Sequence, residues 1–313
     1  MGKDMRRSDN QGQETGAPEG QAPKSAGESM RIAKAIARAG LCSRREAEKW
    51  TLEGRVAVNG KVLEGPAFVV SPGDQVTVDG KPLPAAELPR LWRYHKPKGL
   101  VTSHRDEQGR KTVFEALPPE LPRVISIGRL DIATEGLLLL TTDGAIARHL
   151  ELPATGWLRR YRVRAYGHVT DQALDEIRQG AVVDGIAYGP AEAEIERERG
   201  DNVWLTLGLR EGKNREVKRL LEHLGLKVNR LIRISFGPFS LGDMAPGAVK
   251  EVEPKSLASH LGVELAKELG LRQPTKHGDR KPAPHRRQDT RGTVPKPESK
   301  SRKPGSKPRR AKR

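Results

Sequence analysis

The chain has 313 residues, 35% of them hydrophobic, and carries 57 Lys and Arg against 40 Asp and Glu, a formal charge of +17. That length gives room for about two ordinary domains, and the thin apolar content excludes one compact apolar block. The charge points first to a polyanionic partner and second to an acidic small molecule. The single cysteine, Cys42, excludes an internal disulfide and any CxxC zinc site and suits a reducing compartment. No run approaches the roughly 18 apolar residues of a membrane helix, and no apolar signal core opens the chain. A cytoplasmic protein with no membrane contact is expected.

Residues 1–29 hold four Lys and Arg and five acids among Gly, Ser and Gln, and read as a disordered leader with nothing to bury. Residues 271–313 hold sixteen Lys and Arg and three acids, a net +13, so the stretch between the two ends carries only +5. This Pro-punctuated basic tail reads as disordered, either as a non-specific RNA-binding extension or as a solubilising appendage.

Residues 30–80 form a short unit. Ile32, Ala35, Ile36 and Ala39 share one side of a helix over Arg31–Ala39, and Gly40 stops it. Ser43 caps a second helix, with Glu46 three residues on completing a capping-box pattern. RVAVNG and QVTVDG are alternating strands ending in Asn59-Gly60 and Asp79-Gly80, pairs suited to positive-φ turns. Arg31, Lys34, Arg38, Arg44, Arg45 and Lys49 crowd the two helices, as an RNA-contacting face or as a solvated surface paired with Glu46 and Glu48. The stretch RIAKAIARAGLCSRREAEKWTLEGRVAVNGKVL resembles the S4 RNA-binding domain.

Residues 81–90 are a Pro-rich linker, and residues 91–270 alternate strands (LWRYHK, GLLLLTT, YRVRAYG, AEAEIE, NVWLTLGL, RLIRISF) with helices near 144–151, 170–179 and 213–224. Neither GxGxxG nor GxxxxGK appears, so a nucleotide-cofactor domain is not expected. A mixed, largely antiparallel α+β sheet fits.

Three pieces of this domain could carry chemistry. In GRLDIATEGLLLLTTDG, Leu137–Leu140 is a buried strand and Asp143-Gly144 a turn, whereas Arg129 and Asp131 stand in a Gly-bounded turn where an Arg can pair with a carboxylate, for structure or for function. In REGKNREVKRLLEHLG, Val217, Leu220, Leu221 and Leu224 form a buried stripe, leaving Arg215, Lys218, Arg219 and Glu222 on the other side. Gly212, Lys213 and Asn214 lie at the helix entrance, where free backbone donors favour a phosphate. In RRYRVRAYG, Tyr161 alternates with Val163 and Ala165, as a core aromatic or a base-stacking one. Lys96, Pro97, Lys98 and Gly99 make a cationic turn, either structural or an RNA contact. His95, His104, His149 and His223 have no metal-ligand spacing, so no metal is expected.

Taken together with YHKPKGLVTSHRDEQGRKTVFEALP, these pieces resemble the branch of the rRNA pseudouridine synthases in which an S4 domain precedes the catalytic domain. The resemblance covers about 240 residues in the family's order. It implies an α+β fold, a small S4-like α/β RNA-binding domain followed by a mixed, largely antiparallel-sheet pseudouridine synthase domain. It also implies an enzyme without cofactor, acting as a monomer on ribosomal RNA or a pre-50S particle. By the same resemblance Asp131 takes the place of the essential aspartate, a nucleophile toward uridine, and Arg129 that of the arginine paired with it. Tyr161 takes the place of the tyrosine that stacks on the flipped base and helps deprotonate C5, and Lys218 that of a phosphate- or aspartate-facing cation. EGKNREV, YHKP and TVFEALP look more like the 23S rRNA type, acting near the peptidyl-transferase region, than the 16S type. The alternative from another class is a non-catalytic RNA-binding assembly factor, for which a carboxylate in an RNA cleft would be a liability.

Overall fold

A computed structural model describes residues 29–85 and 87–271. Residues 1–28 and 272–313, on which the expected leader and basic tail fall, lie outside them.

The N-terminal elements follow their local signals. Helix α1 spans Ile32–Arg38, and α2 spans Arg44–Leu52. The Ser43 side chain accepts from the Glu46 N–H at 3.1 Å, satisfying one of the donors that a helix start leaves open. Strands β1 (Val56–Val58), β2 (Lys61–Val62), β3 (Val76–Val78) and β4 (Lys81–Pro82) form a four-stranded sheet in the order β2-β1-β3-β4. Asn59, Gly60, Asp79 and Gly80 all have positive φ, which brings tight turns of the type that Asn-Gly and Asp-Gly favour. Ile32, Ile36, Ala47, Val56 and Val78 close a small core between the helices and the sheet.

The larger part is built on one sheet. Its strands are β5 (Leu91–Lys96), β6 (Ile125–Ile127), β7 (Thr134–Thr141), β8 (Arg159–Tyr166), β9 (Glu192–Arg199), β10 (Asn202–Leu209), β11 (Lys227–Phe236), β12 (Phe239–Ser240) and β13 (Val249–Glu251). Among the described residues the order is β9-β10-β8-β11-β7-β5-β13, with β12 added to β11 and β6 to β7. Every pairing is antiparallel except β11 with β7. That parallel seam brings the start of β7 beside β11, with Thr134 opposite Leu231 and Gly136 opposite Arg233. A Cβ at Gly136 would lie 2.3 Å from the Arg233 carbonyl oxygen, so only glycine permits this approach.

The four-leucine run of β7 has no polar face because both faces are covered. Leu137 and Leu139 pack with Leu91, Ile146 and Phe236, whereas Leu138 and Leu140 pack with Trp92, Tyr94 and Val113. Helices α3 (Gly144–Glu151), α4 (Asp171–Gln179) and α5 (Glu216–His223) fall where periodicity places them, but α5 begins three residues later than expected. Arg215, at φ 53°, takes a left-handed conformation that cannot continue a helix. Two further helices, α6 (Pro254–Leu261) and α7 (Val263–Glu268), cover one core with Leu257, Leu261 and Ala266.

The two folded parts meet at an ion pair: Arg38 Nε on α1 lies 3.4 Å from Asp143 Oδ2, at the start of α3. Asp143 also caps α3 through the Ala145 N–H at 2.6 Å. Arg38, expected on the RNA-contacting face, is therefore partly committed to this join, while Arg31, Arg44 and Arg45 are exposed and Lys34 is half-buried.

Candidate active site

A cleft of about 280 Å³ opens where the turn before β7, strands β8 and β11, and the loop leading into α5 converge. Its wall includes Arg129, Asp131, Glu151, Arg159, Tyr161, Glu211, Lys213, Arg215, Glu216, Lys218 and Arg233. Pieces of sequence spread from Arg129 to Arg233 are thus brought to one place by the sheet order.

The turn that carries Asp131 is held through its backbone. Thr102 Oγ1 donates to the Leu130 carbonyl at 2.8 Å, and the Gly99 N–H donates to the Ile132 carbonyl at 2.8 Å. Lys96, fully buried at the end of β5, donates from Nζ to the carbonyls of Pro97, Asp131 and Thr134 at 3.1, 3.2 and 3.0 Å. Burial pushes its ammonium down to about 8, opposed by the nearby charges of Asp131 and Glu135. Lys96 was expected as a turn residue or an RNA contact, and its burial rules out the second role. Lys98, two residues on, is exposed.

The Asp131 side chain remains 39% exposed, and its partner is Lys218 on α5: Nζ lies 3.2 Å from Oδ2. This corrects two expectations. Arg129 is exposed and makes no ion pair among the described residues, so it is not the partner of Asp131. Lys218, expected opposite the apolar stripe, is buried; of the two roles expected for it, phosphate-facing or aspartate-facing, it takes the second.

Tyr161 is half-buried, packed against both cores that flank β8, and borders the cleft. Register places it opposite Arg233 on β11 and Leu207 on β10. Of the loop before α5, Lys213, Asn214 and Arg215 are exposed and Arg219 is half-buried. The expected free backbone donors are partly taken, since the Lys213 N–H donates to Glu216 Oε2 at 2.9 Å. Lys213 Nζ is engaged as well, by the Ala187 carbonyl at 2.8 Å and by Glu211.

Sequence reasoning missed Arg159, Glu211, Glu216 and Arg233. Glu216 is 4% exposed, and burial together with the Glu211 carboxyl beside it pushes its own carboxyl up to about 7. For the arginines a signal existed: Arg159 shares Tyr161's face two residues away, and Arg233 alternates with buried Leu231. Among the described residues, no three His, Cys, Asp or Glu side chains cluster as metal ligands.

A carboxylate on a tied turn, sharing a cleft with an aromatic ring and several cations, suits covalent chemistry on a base taken out of its stack. Comparison with known proteins bears on which chemistry. Residues 30–76 match the S4 domain family and residues 90–223 the RNA pseudouridylate synthase family. An uncharacterized RNA pseudouridine synthase of Rickettsia felis is 49% identical over 228 residues, 73% of this chain and 99% of the relative. The chain belongs to the RNA pseudouridine synthase family.

Other relatives and a solved structure agree. The ribosomal large subunit pseudouridine synthase B of Pseudomonas aeruginosa is 38% identical over 252 residues, 77% of this chain and 63% of that protein. That of Haemophilus influenzae is 41% identical over 225 residues, covering 70% of this chain and 62% of the relative. A crystal structure of a pseudouridylate synthase superposes with a TM-score of 0.53 at 26% identity, covering 77% of this chain and all of that one. The expected α+β architecture, S4 domain first, is the one found, and the protein is an isomerase acting on RNA. As an RNA pseudouridine synthase it breaks the N1–C1′ bond of uridine and joins C5 to C1′, a rearrangement without net redox change. Among the described residues, no helix is long and apolar enough to cross a membrane.

Proposed function

We propose that this chain converts a uridine of 23S rRNA, near the peptidyl-transferase region, to pseudouridine, with Asp131 as the nucleophile. The observation that carries the reading is the Asp131 carboxylate itself: half-exposed at the cleft, backbone-clamped by Lys96 and charge-paired with Lys218. A carboxylate pointed into a cation-lined cleft repels phosphate and has no use in a purely RNA-binding protein. The large-subunit choice is supported by relatives at about 40% identity that bear that name.

The target nucleotide leaves its stack, and its uracil lies on Tyr161. Asp131 Oδ attacks C1′ as the N1–C1′ bond breaks, uracil turns, and C5 bonds to C1′ as the Oδ–C1′ bond breaks and frees the carboxylate; in the glycal route a C2′ proton is lost as N1 leaves and returns to C2′ as C5 bonds to C1′. The C5 proton then leaves with help from the Tyr161 hydroxyl, and N1 ends protonated, so the atoms balance. Lys218 offsets the Asp131 charge before attack. Exposed Arg129, Lys98, Asn214 and Arg215 and half-buried Arg219, with Arg31, Lys34, Arg44 and Arg45 of the S4 domain, contact the RNA.

The test is a pseudouridine map of rRNA, by carbodiimide modification and primer extension, in cells with and without the gene. Loss of a single 23S stop is expected. A loss confined to 16S rRNA would overturn the subunit assignment, and no loss in either would overturn the rRNA reading.

A further inference from the structure

Behind Tyr161 the cleft wall contains two arginines that the reaction outlined above does not use. Arg159 on β8 and Arg233 on β11 are 8% and 3% exposed, and both guanidinium groups lie against the ring of Phe236, at 4.6 and 5.3 Å. Buried guanidinium groups ordinarily bring a carboxylate with them, because an isolated buried charge is costly. Neither arginine has an ion pair among the described residues.

Their hydrogen bonds go to backbone carbonyls instead. Arg159 Nη1 donates to the carbonyls of Trp157 and Arg210 at 3.0 and 3.1 Å, and Arg233 Nε donates to that of Leu137 at 2.7 Å. Those bonds fix the direction of both side chains. Arg233 Nη2 is buried and no described residue accepts from it, although Arg233 lines the cleft. The Arg233 charge also adds to the cost of burying Arg159. Glu216, the carboxyl beside Arg159, is pushed toward its neutral form and offsets little of this charge.

We propose that Arg159 and Arg233 form an anion site that receives a phosphate of the nucleotide bound at Tyr161. A uracil carbonyl would accept one hydrogen bond but leave two buried positive charges uncompensated, whereas a phosphate group satisfies the free donor and offsets the charge. Arg233 is the register neighbour of Tyr161, so base and phosphate of one flipped nucleotide would be held on adjacent strands. The site grips the nucleotide by its backbone whatever base it carries, and Tyr161 and Asp131 act on the uracil. This inference rests on the proposed reading of Tyr161 and Asp131 as the uridine site.

The test is calorimetric titration of the full chain with uridine 5′-monophosphate, uridine and inorganic phosphate, for the wild type, Arg233→Gln and Arg233→Lys. The nucleotide is expected to bind at one site, to be displaced by inorganic phosphate and to bind about tenfold or more tighter than uridine, the scale of a charge-assisted hydrogen bond. Arg233→Gln should remove most of that difference, and Arg233→Lys should keep part of it. Equal binding of nucleotide and nucleoside by the wild type, which needs no variant to fold, would overturn the site. So would nucleotide binding that Arg233→Gln leaves unchanged, since the phosphate would then be held elsewhere on this basic chain. A preserved nucleotide preference with no missing pseudouridine in the rRNA map would leave the anion site standing and reject only the rRNA reading.

Discussion

Lys96 lies completely buried beneath Asp131, and its ammonium donates to the Asp131 carbonyl at 3.2 Å while also holding the carbonyls on either side of that turn. The residue that places the carboxylate thus never reaches the cleft. Replacing it with Met keeps the volume but leaves three carbonyls without their donor. Lys96→Met is expected to lower stability by about 2–4 kcal/mol, measured as a shifted urea midpoint at unchanged slope, and to lower turnover with it.

Arg129 and Lys218 separate on the same measurement. Exposed and unpaired, Arg129 should tolerate Ala within about 0.5 kcal/mol. Lys218→Ala should cost about 1–2 kcal/mol, since it leaves Asp131 without its partner. Lys218→Arg should restore most of it. Equal losses at the two positions would contradict the pairing.

The glycine at 136 is a packing requirement rather than a turn. At φ 105° and with a Cβ that would collide with the Arg233 backbone, Gly136→Ala should separate β7 from β11. Loss of cooperative thermal unfolding is expected, at a cost of several kcal/mol; a melting curve matching the wild type would show that the seam can relax.

Glu216 gives the protein a pH signature. Its carboxyl titrates near 7 when folded, above the 4.5 of an ordinary glutamate, so the folded state holds the extra proton. The resulting stabilisation is complete below about pH 4.5 and is lost as pH rises to about 7. Glu216→Gln, which can still accept the Lys213 N–H, should flatten the melting temperature between pH 5 and pH 8 by a few degrees. An unchanged pH profile would contradict the shift.

Much of this was legible from local patterns. Ser43 followed by Glu46, Asn59-Gly60 and Asp79-Gly80 carry their conformations in residue type alone, and the four-leucine run before the Asp143-Gly144 turn reads as a buried strand, which the fold covers on both faces. Asp131 and Tyr161 were singled out by motif and do meet at one cleft. What a linear pattern could not contain was the partner of each charge. Lys218 lies 87 residues from Asp131 in the chain, and Lys96 is tied to the carbonyls of Asp131 and Thr134 more than 30 residues on, contacts that only the folded sheet creates. The sequence leaves Lys96 between a structural turn and an RNA contact, and Lys218 between a phosphate and the aspartate. Alternation could have flagged Arg233, since an arginine in register with buried Leu231 has to find a reason to be inside.

The most direct test of the account is Asp131→Asn, assayed by tritium release from [5-³H]uridine-labelled rRNA alongside thermal melting and RNA binding. Asparagine keeps the size of the side chain and the backbone bonds from Lys96, so folding and RNA affinity should stay close to wild type while tritium release falls to background. Substantial residual turnover in a well-folded Asp131→Asn protein would contradict Asp131 as the nucleophile.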